Sequence, residues 1–185
     1  MIYNSLSEIF DAMDRTRARL RARLEGIKSA EESVRPSTAA WSVAEIAEHL
    51  AIIEERLSTL FPVMLTKAEA GGLHRSADQP FHPISVESMI ERSKREKYTA
   101  PETARPTGAV SIADSLTRLE RSREAIRRLR PRLEALDLTN VTYPHPAFGA
   151  LSAYQWLIFL AAHEDRHLRQ IESVMASPQA SAQGE

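Results

Sequence analysis

The sequence predicts an all-α protein, a four-helix bundle with a long crossover between its second and third helices. Three observations predict this fold. Four stretches carry apolar side chains at helical spacing, and each follows a serine in the N-cap position. The chain has only 6 glycines among its 185 residues, and no stretch shows the alternation typical of a half-buried strand. A chain of this length usually buries one core, so a single domain is expected.

The first predicted helix covers residues 6–27. Ser5 and Glu8 have the spacing of a capping box, in which both side chains accept backbone N–H groups. Five arginines alternate along this stretch: Arg15, Arg17, Arg19, Arg21 and Arg23. Alternation in sequence scatters side chains around a helix, so these arginines are predicted to form a solvated surface and not a ligand-binding patch.

The second predicted helix begins at another capping box, formed by Ser42 and Glu45. His49 lies one turn after Glu45, on the margin of the apolar stripe that follows. Pro62 has no N–H to donate to the preceding turn, so it is expected to kink the helix or to end it.

The helical pattern breaks down over residues 66–110, where glycines and prolines interrupt it. Only residues 85–98 are expected to form a short charged helix there. A connection of this length usually runs over the surface or carries function. It also allows the third helix to run parallel to the second, which a tight turn forbids. His74 and His82 lie in this crossover and are predicted to be surface residues.

The third predicted helix begins at a cap-like pair, Ser111 and Asp114. Its apolar residues recur at helical spacing, and Pro131 is expected to bend it. Residues 137–151, which include several prolines and a glycine, are predicted to be a loop.

The fourth predicted helix begins at a capping box formed by Ser152 and Gln155 and extends to about residue 175. Small and polar residues follow it, which is typical of a disordered terminus. The bundle domain is therefore predicted to span residues 1–176, with a disordered tail over residues 177–185.

Composition argues against several classes of function. The chain has 24 basic and 25 acidic residues and a net charge of −1, so it has no general attraction to nucleic acid or to an anionic membrane. No apolar run approaches the roughly 18 residues of a membrane span. The chain has no cysteine, so a nucleophilic thiol would have to come from a bound cofactor or substrate. The N-terminal residues do not resemble a signal peptide, and a cytoplasmic location is expected.

Three histidines form a candidate metal site. His163 and His167 are four residues apart in the fourth helix, so their imidazoles project from one face and can share an ion. His49, in the second helix, offers a third ligand. Neutral imidazole binds zinc, nickel, copper and iron(II), and three such ligands leave a position open for water or substrate. The alternative is that His49 is a core histidine and the other two are polar surface residues.

The sequence from His163 to His167 also matches the H-E-x-x-H pattern of zinc metalloproteases, in which the glutamate, here Glu164, activates water. Its surroundings do not fit that class. Leu-Arg-Gln-Ile follows His167, without a glycine or a third histidine, and Glu172 is too close to be the downstream ligand. No strand is predicted before the helix to bind an extended peptide. A metal site of another class is therefore favoured over a peptidase.

The chain contains three longer motifs. They are Trp41-Ser-x-x-Glu45-x-x-x-His49-Leu50, His145-Pro-x-Phe-Gly149, and Gln155-Trp-Leu-x-Phe-Leu-x-x-His163-Glu-x-x-His167-x-x-Gln170-Ile171. Together they resemble the motifs of the DinB superfamily, in its DinB_2 and YfiT-like branch. The resemblance implies a bundle with up-down-down-up topology, often dimeric, that holds a divalent metal through three histidines. Carried over by position, the implied ligands are His49, His163 and His167.

The resemblance also implies two kinds of activity on a small-molecule substrate. Similar family members include S-transferases and isomerases that use a low-molecular-weight thiol, and others are described as metal-dependent hydrolases. Nickel or zinc is the expected ion, and a homodimer is the expected assembly. A metal ion with an open position lowers the pKa of a bound thiol or water, so both chemistries are consistent with the site. The alternative is a noncatalytic metal-binding bundle that serves as an interaction module.

Two glutamates are candidate catalytic residues. Glu45 lies one turn before His49 and could hydrogen-bond a metal-bound water, although its role in the capping box competes with this. Glu164 projects about 100° away from His163 on the helix and could act as a base or orient a ligand. His145 is predicted to pack within its proline-rich loop, with a position at the rim of the site as the alternative.

Overall fold

The computed structural model describes residues 2–76, 79–87 and 99–177. Its four long helices are α1 (Leu6–Glu25), α2 (Val43–Ala70), α3 (Ile112–Arg128) and α5 (Ala153–Met175), and a short helix, α4 (Arg130–Ala135), follows α3. Short 3-10 segments cover Ser29–Glu31 and Glu102–Ala104. No helix in these described ranges is long and apolar enough to cross a membrane.

All four long helices begin where the serines predict. The side chains of Ser5, Ser42, Ser111 and Ser152 each accept the backbone N–H three residues further on. Each cap pairs an N–H that has no partner within the helix, which typically stabilises a helix by about 1 kcal/mol. At its other end, α1 stops at Glu25, two residues before the predicted end.

The helices run up, down, down and up. α2 and α3 are parallel, because residues near the start of one contact residues near the start of the other and later residues contact later ones. The backbone N–H of Gly108, just before α3, donates to Glu48, and Arg118 on α3 donates to Glu55. α1 and α5 are also parallel, since their first halves share one apolar cluster and their second halves share another. This arrangement confirms the predicted four-helix bundle and its topology.

The two apolar clusters lie at opposite ends of the bundle. One joins the first half of α1 to the end of α2 and the start of α5, with members such as Ile9, Phe61 and Leu157. The other joins the end of α1 to the start of α2 and the end of α5, with members such as Leu20 and Ile46. Between the clusters, each long helix contributes one buried charged residue. These four are Arg17, Glu54, Arg123 and Glu164, which we call the ion cluster.

The ion cluster is held by direct hydrogen bonds between opposite charges. Arg17 donates through Nε to Glu164 at 2.8 Å and through Nη2 to both Glu54 and Glu164. Arg123 donates to Glu54 at 2.8 Å and to Glu164 at 3.1 Å. The prediction of a solvated surface is therefore wrong for Arg17, which is buried. It lies on the core face of α1, and the partner carboxylates come from helices distant in the sequence.

The two helix prolines have different effects. Pro62 does not end α2, which continues for two further turns to Ala70. Near Pro131 the third helix is interrupted, where only a bend was predicted, because α3 gives way to α4 at Leu129. There Pro131 lies in the first turn of α4, where a missing N–H breaks no helical hydrogen bond.

Two small antiparallel sheets were not predicted. β1 (Ile2–Tyr3) pairs with β2 (Ile84–Ser85), and β3 (Thr142–His145) pairs with β4 (Gly149–Ser152). The β3–β4 hairpin occupies most of the stretch predicted to be a loop. Its strands have only four residues each, too few for alternation to be recognised, and Pro144 within β3 is unusual for a strand.

Two further predictions concern residues outside the described ranges. The charged helix predicted over residues 85–98 has only its first three residues in the described part of the chain. The disordered tail predicted over residues 177–185 has only Ser177 there. Both therefore stay predictions.

Candidate metal centre

Three histidine side chains from two helices converge on one point. His49 is on α2, and His163 and His167 are on α5. The Nε2 atom of His163 lies 3.3 Å from that of His49 and 3.2 Å from that of His167. A tetrahedral zinc ion with Zn–N bonds of about 2.0–2.1 Å holds its nitrogens roughly 3.3 Å apart. The spacing of these nitrogen atoms therefore fits a metal ion.

Local sequence rules position each ligand. The four-residue spacing of His163 and His167 places them one turn apart on α5. The cap at Ser42 fixes where α2 begins, and His49 follows on its second turn. Because α2 packs against α5, these two turns face each other.

Hydrogen bonds from the other ring nitrogen orient two of the ligands. Nδ1–H of His49 donates to the backbone carbonyl of Ala104 at 2.7 Å, and Nδ1–H of His167 donates to Oε1 of Gln170 at 2.8 Å. This network assigns a proton to each Nδ1, so each neutral ring has its lone pair on Nε2. Such outer hydrogen bonds fix the ring orientation and make the ligand nitrogen more basic.

The converging nitrogens lack enough protons to satisfy one another. Nε2 of His49 and Nε2 of His167 each present a lone pair towards His163. Nε2 of His163 can donate at most one hydrogen bond, because it carries at most one proton. At least one lone pair is left without a donor among the described residues. A bound cation would satisfy all three nitrogens, so the donor set fits a divalent metal ion.

Burial keeps these imidazoles in the neutral form that binds metals. It lowers the pKa of His49, lowers that of His163 well below the usual value, and lowers that of His167 to about 3. The positive charges that neighbouring histidines would carry add to the effect at His163 and His167. A metal ion therefore does not have to displace protons from these nitrogens at neutral pH.

A cleft of about 1720 Å³ lies beside the three histidines, all of which line it. Trp41 and Phe159 line it as well. The ring of Trp41 lies 4.8 Å from that of His49, and the ring of Phe159 stacks on His163 at 5.1 Å. Small-molecule sites usually measure about 300–1,000 Å³, so the cleft has room for a substrate next to the ligands.

The two candidate catalytic glutamates have other partners. Glu45 accepts the N–H of Ser42 at 2.7 Å in the capping box and lies 3.3 Å from the Arg35 guanidinium. Glu164 belongs to the ion cluster and also accepts from Thr16 at 3.2 Å. The Glu164 side chain points from α5 into the bundle interior and does not line the cleft, whereas His163 does. The structure thus brings the three predicted ligands together but does not bring either glutamate to them.

The remaining histidines differ in environment. His74 and His82 are exposed, as predicted. His145 packs within the β3–β4 hairpin, as predicted, with its ring 4.7 Å from that of Phe148 and 4.7 Å from that of Phe159. It also lines the cleft that contains the three ligands. Both predicted positions of His145 are therefore compatible with the structure.

Sequence reasoning missed the groups that orient the ligands. Gln170 follows His167 by three residues, a spacing that places two side chains side by side on a helix and could have identified it. Ala104 acts through its backbone carbonyl, which has no signature in the residue type. It belongs to the crossover, which thus contributes to the centre.

The fold and the site define a class, the up-down-down-up four-helix bundles with three histidines converging from the second and last long helices. The DinB_2 model of the DinB superfamily matches residues 12–171. The chain belongs to the DinB superfamily.

Individual proteins are also similar to this chain. The chain is 26% identical over 153 residues to YuaE of Bacillus subtilis (strain 168), an uncharacterized protein, and the match covers 82% of this chain and 87% of YuaE. Among solved structures it is similar to TT2238, a four-helix bundle protein, with a TM-score of 0.58 and 23% identity over 91% of this chain and 99% of that one.

A second solved structure is YfiT from Bacillus subtilis, described as a probable metal-dependent hydrolase with an unusual four-helix bundle topology. Its TM-score is 0.51 at 15% identity, over 91% of this chain and 85% of YfiT. At these identities the two structures show a shared fold.

Proposed function

We propose that this protein is a metalloenzyme in which His49, His163 and His167 hold one divalent ion, and that it hydrolyses a small molecule. The observation that carries the proposal is the convergence of three Nε2 atoms at the wall of a large cleft. Within the described ranges, no further His, Cys, Asp or Glu completes this set. Structural metal sites are usually closed by four protein ligands, whereas catalytic sites keep a position open. The description of YfiT supports the reaction class.

The residues around the ligands would prepare the site for catalysis. A divalent ion in such a site lowers the pKa of a bound water or thiol towards neutrality. The Ala104 carbonyl and Gln170 keep the Nε2 lone pairs of His49 and His167 directed at the ion. The ring of Trp41 packs against that of His49 and the ring of Phe159 stacks on that of His163, which would hold the imidazoles in place.

A second candidate function is thiol-dependent S-transfer at the same centre. The cleft of about 1720 Å³ exceeds the usual size of a site for one small molecule, so a thiol and an electrophile both fit. Since the chain has no cysteine, the thiol would be a separate low-molecular-weight compound. Turnover that needs an added thiol would favour this function, and metal-dependent turnover without thiol would favour hydrolysis.

Elemental analysis of purified untagged protein tests the metal centre. We expect about one equivalent of nickel or zinc per chain in the wild type, and loss of that metal in the His49→Ala and His167→Ala variants. His74→Ala is the matched control, because His74 is exposed and distant from the three nitrogens in sequence and fold. Chelation should lower the melting temperature of the wild type and the control only.

The absence of bound metal in the wild type, even after reconstitution with nickel and zinc, would disprove the metalloenzyme.

The expected homodimer is a separate prediction, which light scattering on the same preparation checks. Cytoplasmic location is also a proposal, and fractionation of the source cells tests it.

A further inference from the structure

Among the polar side chains that line the cleft, His145 is one that has no role in the metal centre described above. His145, at the end of β3, is half-buried and lines the same cleft as the three ligands. Its Nδ1 accepts hydrogen bonds from the backbone N–H groups of Ala147 at 3.0 Å and Phe148 at 3.2 Å. Two donors directed at Nδ1 leave no place for a proton there, so the proton of the neutral ring is on Nε2.

The Nε2–H group of His145 has no acceptor among the described residues. The two hydrogen bonds of the ring both go to Nδ1. The side chain is half-buried and belongs to the wall of the cleft, and Nε2 is not fully enclosed by the described residues. A hydrogen-bond donor without a partner, on a residue that its own turn holds in the wall of a cleft, is available to a ligand.

Aromatic rings pack against the His145 imidazole and connect it to the metal centre. The His145 ring lies 5.0 Å from that of Trp156 and 4.7 Å from that of Phe159. Phe159 in turn stacks on His163 at 5.1 Å. One aromatic ring therefore separates the donor from a metal ligand, a distance that a small molecule can span.

Burial lowers the pKa of His145 to about 4. At neutral pH the side chain is thus a neutral donor, the form in which an imidazole can polarise a carbonyl group.

We propose that Nε2–H of His145 donates a hydrogen bond to a carbonyl oxygen of the molecule bound at the metal centre. This inference rests on the proposed function and narrows its substrate class to compounds with a carbonyl group, such as esters, amides and thioesters. His145 is then a substrate-binding residue, and its place in the hairpin serves to orient it.

Cobalt-substituted protein and paired thiol probes test this inference without an activity assay. The probes are mercaptoalkanamides with two to four carbons and alkanethiols of matched length, and the sulfur-to-cobalt absorption band reports binding. A neutral hydrogen bond contributes about fivefold in affinity, so the wild type should bind one of the amides about fivefold more tightly than its matched thiol.

The variants separate the donor from the structural role of His145. In His145→Asn, the side-chain oxygen can still accept the Ala147 N–H two residues on, but the Nε2–H donor is lost. We expect this variant to stay folded, to melt somewhat below the wild type because the ring contacts with Trp156 and Phe159 are lost, and to lose the preference for the amide. His145→Gln places an amide N–H near the original donor and should restore part of the preference. Tyr143→Phe, which removes another donor from the same hairpin, should keep it.

Each unfavourable outcome has a distinct meaning. A preference that survives in His145→Asn, or that is absent from the wild type for every probe length, would overturn the role of His145 and leave the metal centre intact. Failure of the wild type to bind cobalt would overturn the metal centre and this inference with it.

Discussion

The ion cluster and the three-histidine centre are neighbouring groups of buried polar side chains. They differ in whether their polar atoms find partners within the protein. They adjoin on α5, where Glu164 directly follows His163. In the ion cluster, two arginines face two glutamates, and opposite charges satisfy one another. In the histidine centre, three nitrogens of the same kind face one another. The first arrangement is complete in the folded chain, whereas the second leaves at least one nitrogen lone pair without a donor among the described residues.

The largest expected effect breaks the ion cluster. Arg123→Met leaves Glu54 and Glu164 with Arg17 as their only guanidinium partner from the cluster. Removing one member of a buried ion pair leaves an uncompensated charge and typically costs about 3–5 kcal/mol. We expect a loss of this size in the free energy of unfolding of the metal-free protein, measured by urea denaturation.

Arg128→Met is the control for this substitution. Arg128 is exposed and forms a pair with Glu124 at 3.0 Å on the same helix, so its removal should change stability by about 0.5 kcal/mol or less. Equal losses in the two variants would contradict a special role for the ion cluster.

The next effect concerns the histidine centre and pH. Burial lowers the pKa of His167 to about 3 in the metal-free folded protein, against about 6.5 in the unfolded chain. Between these values the unfolded chain binds more protons, so stability is complete above pH 6.5 and falls as the pH decreases towards 3. Each such histidine contributes up to about 1.4 kcal/mol per pH unit.

Urea denaturation at several pH values between 6.5 and 5.0 measures this slope, in a range where most carboxylates stay ionised. His167→Leu should reduce the slope by up to about 1.4 kcal/mol per pH unit, most fully at the acidic end of this range. Parallel pH dependences for wild type and variant would show that His167 is not held neutral by the fold.

The smallest effect on stability is expected for substitution of Gln170. This side chain accepts the Nδ1–H of His167 and would influence a bound metal only through that ring. Loss of such an outer partner typically weakens metal binding by about 10- to 100-fold. Gln170→Leu should show this loss in a competition titration with a chelator, while the stability of the metal-free protein stays nearly unchanged.

Gln170→Glu is the matched variant, because its carboxylate can still accept the Nδ1–H of His167. It should retain the affinity for metal. If Gln170→Leu destabilised the metal-free protein as Arg123→Met does, the contrast between the two polar regions would not hold.

The sequence was sufficient for features with local causes. Helix starts follow from serines that cap their own first turn, as at Ser42 and Ser152. The pairing of His163 and His167 on α5 follows from their four-residue spacing, and His49 follows from its place in a strongly predicted helix and from the family motif. All of these predictions depend on residues that are near one another in sequence or occur in a recognisable motif.

The features that were missed depend on contacts distant in sequence. Arg17 and Arg123 belong to the ion cluster because of where α2 and α5 lie, which no residue near them reveals. A signal did exist: Arg17 lies four residues after Met13 and three before Leu20, within the apolar stripe. Charged residues at such positions need a partner, and a search for complementary ones would have suggested the cluster.

The ion cluster also affects which bundles the chain can form. Apolar stripes alone are compatible with several arrangements of four helices, because leucine packs almost as well against one apolar face as against another. Buried charges are compatible with fewer helix arrangements, because each one needs an opposite charge at the same level of the bundle. If α3 ran antiparallel to α2, Arg123 would be at a different height from Glu54, and a buried charge without a partner costs several kcal/mol. The four charges therefore act against misfolded arrangements, independently of how much they stabilise the native one.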